Sequence, residues 1–74
     1  MTNTLARTET EAESIRDLAR RVQAEYTEMP GLSITFVQAQ RLLAIDEPTC
    51  AAVFRVLISR RVLRRTAQGR YVRM

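Results

Sequence analysis

Seven arginines and no carboxylate occupy the stretch from Pro48 to Met74, while all eight Asp and Glu residues lie at or before Glu47. Residues 1–47 hold five arginines, giving 5 − 8 = −3, against +7 for the remainder; together these make the net +4. A guanidinium is planar, permanently charged and able to hold two phosphate oxygens at once, so such a block most readily meets a polyanion, and nucleic acid is the commonest one. The bland alternative is a solvated, arginine-rich surface in a chain with no lysine at all.

Other chemistry is poorly supplied. There is no histidine and a single cysteine, Cys50, so neither a Cys/His zinc set nor an internal disulfide can be assembled. No glycine-rich phosphate loop is present, and the carboxylates fall on helical surface or at caps rather than as an apposed pair. These absences predict a protein that is not an enzyme, with no catalytic residue, no metal and no cofactor. The longest apolar run, Cys50 to Phe54, is far short of the roughly 20 residues of a membrane span, and the N-terminus has no apolar signal core. The expectation is a cytoplasmic chain with no membrane partner, and no small-molecule ligand is inferred.

The elements that must position the arginines follow from periodicity. Residues 1–8 are polar and unpatterned and read as a disordered tail, leaving residues 9–74 as one domain. From Glu9, the positions Ala12, Ile15, Leu18, Ala19, Val22, Tyr26 and Met29 recur at steps of three and four, predicting a long amphipathic helix. Thr8 with Glu11, or Thr10 with Glu13, forms a candidate capping box, and Pro30-Gly31 ends the helix. Leu32-Ser33-Ile34 reads as a short extended segment in need of a partner strand. Thr35 caps a second helix, with Gln38 at the reciprocal position and Val37, Ala39, Leu42 and Leu43 turned inward, leaving Phe36 outward. Asp46 caps a third helix that tolerates Pro48 in its first turn and buries Cys50, Val53, Phe54 and Leu57. Val56 and Ile58 widen its apolar arc. Val62-Leu63, the turn Ala67-Gln68-Gly69 and Tyr71-Val72 then close the chain as a β-hairpin. The predicted class is mainly α with a small antiparallel β-hairpin.

Helix, short strand, helix, abrupt turn, helix, hairpin is also an order with a family attached. The phrase from Leu42 to Leu57 resembles a bacterial helix-turn-helix, and Arg61 to Val72 resembles the first wing of the winged helix-turn-helix superfamily. The resemblance covers about Ser33 to Val72 and implies a three-helix winged helix-turn-helix fold. It implies a small regulator of transcription that binds double-stranded DNA, with helix 48–60 in the major groove and wing 62–73 on the backbone. Glu47, Pro48, Ala51, Ala52, Arg55 and Ser59 would face the groove, with Arg55 the one good reader of guanine. Arg64, Arg65, Arg70 and Arg73, around the wing, are the expected phosphate contacts, Arg70 and Arg65 foremost; Thr35 and Gln38, at the start of the second helix, are further phosphate candidates with simple capping as the alternative, and Thr49 is a further DNA-binding candidate. Arg61 stands where the family usually has a helix-ending glycine. The first helix is the usual dimer element of such regulators, so a homodimer is compatible. A winged-helix protein-interaction module is the alternative.

Overall fold

Proline has no amide hydrogen to donate and glycine adds no restraint, so the first helix cannot pass residues 30–31. In the structure, a computed structural model describing the backbone of residues 4–74 and the side chains of residues 14–74, that helix, α1, spans Thr4–Glu28. It therefore takes in residues 4–8, which the polar pattern had assigned to a tail. Thr8 and Thr10 fall inside it rather than at its start, and their side chains lie outside the described residues, as do residues 1–3 altogether. The elements that follow are β1 Ser33–Thr35, α2 Phe36–Leu43, α3 Glu47–Ser59, β2 Leu63–Arg65 and β3 Arg70–Arg73.

Both short helices begin as their cap residues dictate. Thr35 Oγ1 accepts from the Gln38 amide at 3.2 Å while Gln38 Oε1 accepts from the Thr35 amide at 2.8 Å, a complete capping box. Asp46 Oδ1 accepts from the Thr49 amide at 3.0 Å, with Pro48 in the first turn of α3. Both also end alike. Ala44 (φ 53°) and Arg61 (φ 60°) take the left-handed conformation, the amide after each reaching back to the carbonyl five residues earlier: Ile45 to Gln40 at 3.2 Å and Val62 to Leu57 at 2.9 Å. A side chain in this conformation costs about 1 kcal/mol relative to glycine.

The three strands form one antiparallel sheet in the order β1-β3-β2, so β1 finds its partner in the last strand and not in a hairpin neighbour. Between β2 and β3, the Gly69 amide donates to the Thr66 carbonyl at 3.0 Å, and Gly69 sits at φ 77°. This is a three-residue loop whose last position requires glycine.

The core joins all the elements: Ala19, Val22 and Tyr26 of α1, Ala39 of α2, Cys50, Val53, Phe54 and Leu57 of α3, and Leu63 of β2. The inward stripe of α3 is the one its periodicity predicts. That of α2 is not. Val37 is 54 % exposed and Leu42 71 %, whereas Phe36, expected outside, is half-buried with its ring 6.4 Å from that of Phe54. Phe36, Ala39 and Leu43, at steps of three and four, form the inward arc, which sets one aromatic ring against another, while Val37 and Leu42, five residues apart, fall to either side of it. Tyr26 closes the end of the core as expected, its hydroxyl donating to the Tyr71 carbonyl at 2.7 Å, while Met29 is about half exposed.

Candidate nucleic-acid interface

Strand register decides where the hairpin arginines go. Residues paired across strands share a face, and alternate residues along one strand share a face. Leu63 pairs with Arg73, and Arg65 with Tyr71, which also pairs with Ile34. Leu63 is fully buried and the Tyr71 ring stacks on Phe54 at 4.2 Å, so this is the face turned toward the helices. Arg64 pairs with Val72, which pairs with Ser33, and Arg70 pairs with Thr35, making the opposite, outer face. Arg65 and Arg70, singled out together from the sequence, therefore lie on opposite sides of the sheet. A hydrogen bond holds Arg70 there, Nη1 donating to the Ser33 carbonyl at 3.2 Å.

On the helix side, Arg65 meets α3. A trough of about 440 Å³ runs between α3 and the hairpin; Arg55 and Ser59 line it from the helix, Arg65 and Tyr71 from the sheet. A Cβ built on Gly69 would lie 3.6 Å from Arg65 Nη2, so this guanidinium sits close to the hairpin tip. Ala51 borders the same trough, and Ala52 is half-buried beside it on α3. Arg55, Pro48 and Ser59 are exposed on the side of α3 away from its buried stripe, a face on which Glu47 at the N-terminus is the one carboxylate.

The remaining predicted contacts are arranged differently. The Thr35 hydroxyl and the Gln38 carbonyl oxygen are already engaged with each other's backbone in the cap of α2. Thr49 serves Asp46: hydrogen bonds from its side chain and then its amide hold the Asp46 carboxyl below the usual carboxylate range. Arg73 shares the helix-facing side of β3 with Tyr71, but at the end opposite the tip. Arg64 is exposed on the outer face with Arg70.

Phe36 and Ile58, which also line the trough, were not among the predicted site residues. Ile58 had a legible signal, an apolar side chain outside the core stripe of α3. Phe36 had none, because only the sheet-to-α2 junction turns its ring toward Phe54.

Cys50 lies in the core with Sγ 4.0 Å from the Phe36 carbonyl, and burial pushes its thiol pKa up, away from the thiolate that reactive chemistry needs. Among the described residues no cluster of three or more Cys, Asp or Glu could hold a metal ion, and no helix is long and apolar enough to cross a membrane. No protein-family model, curated protein or solved structure matches this chain.

Proposed function

We propose that this chain is a winged-helix protein that binds double-stranded DNA and regulates transcription in the cytoplasm. In this reading α3 lies in the major groove and the β2–β3 hairpin rests against the adjoining backbone. The observation that carries it is the meeting of Arg55 and Arg65 at one trough: a helix side chain able to read guanine and a hairpin side chain able to hold phosphate open onto the same side of the molecule. The small residues Ala51 and Ala52 allow that side to approach a duplex closely. Arg64 and Arg70, on the outer face, belong to a weaker contribution around the hairpin tip.

A salt-dependent titration against mixed-sequence duplex tests the proposal. The expected slope corresponds to roughly three to six phosphates per chain. Absence of binding at low salt, or an affinity indifferent to salt, overturns it.

A second reading, a winged-helix module that binds protein, draws on a different surface. Met29 and Leu42 border a hollow of about 310 Å³ between α1 and α2, and Leu42, Val37 and Met29 are the most exposed large apolar side chains of residues 14–73. The same surface is compatible with a homodimer, which would join two weakly reading copies on one site.

A further inference from the structure

A face that presents cations and hydroxyls, with no carboxylate to answer them, suits an acceptor from outside the chain. The outer face of the sheet is one. Register sets Ser33, Val72 and Arg64 in a row across β1, β3 and β2, with Thr35 and Arg70 in the row beside it. Arg64 and Arg70 are therefore diagonal neighbours, about 7–8 Å apart at their backbones. The bond from Arg70 Nη1 to the Ser33 carbonyl, 3.2 Å long, lays that guanidinium across the face and leaves its other N–H groups free to donate. The hydroxyls of Thr35 and Thr66 each accept a backbone amide, from Gln38 at 3.2 Å and Arg70 at 3.1 Å, so each keeps an O–H to give. Arg41 of α2 borders a hollow with Ser33 beside β1. Arg41, Arg64 and Arg70 are exposed, and the ion pair present among the described residues lies elsewhere, between Arg20 and Asp17 on α1.

We propose that the outer sheet face holds the phosphate backbone of a second DNA duplex, separately from α3, so that one chain bridges two duplexes. The bridging rests on the DNA-binding reading; the outer-face contact does not.

The chemistry of the face selects a duplex backbone. Val72, half-buried, is the one apolar side chain in these rows, so a protein partner finds no pocket for an apolar anchor. Unpaired bases find no ring to stack on, because Tyr71 turns inward onto Phe54. Phosphodiester oxygens need only charged and hydroxyl donors, and the counterions they release on contact favour the union at low salt. The sheet itself keeps the two contacts apart. A duplex against α3 meets the helix side, whereas the row from Arg64 to Ser33 looks the other way and runs back from the hairpin to β1.

The test uses two short duplexes of the same mixed sequence, one carrying a donor dye and the other an acceptor, with bridging read as energy transfer at low salt. The native chain should bring them together. Ser33→Asp sets a carboxylate among the arginines and should require at least about tenfold more protein for the same transfer. Ser33→Asn, similar in shape but uncharged, should require about twofold more or less, and both variants should bind one dilute duplex within about threefold of the native chain. Should Ser33→Asp lose its circular dichroism, Arg64→Gln, read on bridging alone, takes its place with a loss of about fivefold.

Amide shifts of the full chain in excess unlabelled duplex separate the two contacts. A first set should saturate at Ala51 and Arg55, and a second, weaker set at Ser33, Arg64 and Val72. Absence of transfer, or saturation at α3 with no second set, overturns the inference and leaves the DNA reading standing. Transfer that survives Ser33→Asp or Arg64→Gln belongs to paired copies, each using its α3 face, and overturns it equally. Tighter binding of polyglutamate than of duplex at the second set overturns the duplex assignment and makes the face a seat for an acidic protein. Shifts at the second set alone remove α3 as the reader, and bridging with it, but keep the outer-face contact; no shifts at either set remove both.

Discussion

The two faces of the small sheet carry two arginines each, Arg65 and Arg73 toward the helices and Arg64 and Arg70 away from them, yet they are different surfaces. On the helix side Arg65 borders a trough lined also by Phe36, Phe54, Ile58 and Tyr71, with Arg55 lining it from α3. On the outer side Arg70 lies along backbone, donating to the Ser33 carbonyl in full view of solvent. Equal charge on the two faces thus has unequal neighbours: a second guanidinium and apolar side chains on one, the Ser33 carbonyl on the other.

The largest expected difference between the faces is in stability. Leu63→Ala, at a fully buried position, should cost about 2–5 kcal/mol, whereas Val72→Ala on the outer face should cost about 1 kcal/mol or less. Urea midpoints of the two variants measure this, and equal losses would erase the distinction between the faces.

Arg55→Ala comes next. It should reduce discrimination among duplex sequences by about 1–3 kcal/mol at the bases it touches while leaving the fold intact. Selection from randomised duplex with native and variant chains reads this directly, and an unchanged preference would mean that α3 does not read bases through Arg55.

Tyr26→Phe should cost about 1 kcal/mol, because it removes the hydroxyl that donates to the Tyr71 carbonyl on the sheet's central strand. Burial pushes the Tyr26 pKa up from 10.0 to about 12. With the folded value above the unfolded one, the unfolded chain loses its proton first. The stabilisation is complete below pH 10 and is lost as pH rises from 10 through about 12. Denaturation midpoints across that range should fall in the native chain and stay flatter in Tyr26→Phe.

The smallest effect sharpens the comparison most. Arg65→Ala should weaken all duplexes and lower the salt slope by about one, and Arg70→Ala should do so by distinctly less. Equal slopes in the two variants would make the sheet faces electrostatically equivalent.

These contrasts were partly legible in the sequence. The caps at Thr35 and Asp46, the halt at Pro30-Gly31, the buried stripe of α3 and the loop at Gly69 all follow from local chemistry, because each depends on residues within one turn of the chain. The inward face of α2 did not, since its five apolar residues surround much of the helix and the distant Phe54 ring fixes which of them turn inward. Arg65 and Arg70 could not be assigned to opposite faces either. Alternation is countable along each strand, but which face meets the helices is set by Leu63 and Tyr71 finding the core. Arg61 is intermediate: only the resemblance marked it as standing where a helix-ending glycine is usual, and at φ 60° it takes the left-handed conformation that favours glycine.

The position of β3 between β1 and β2 has a kinetic consequence. Ser33, Ile34 and Thr35 find no strand partner until residues more than thirty positions later have been drawn back beside them, so β1 cannot nucleate the sheet and must wait for a long loop to close. The local hairpin forms by a shorter search. Once folded, however, the middle strand is common property, and its departure strips hydrogen-bond partners from both edges together. Hydrogen exchange at Ile34 and Arg64, on strands that never touch, should therefore report one shared opening.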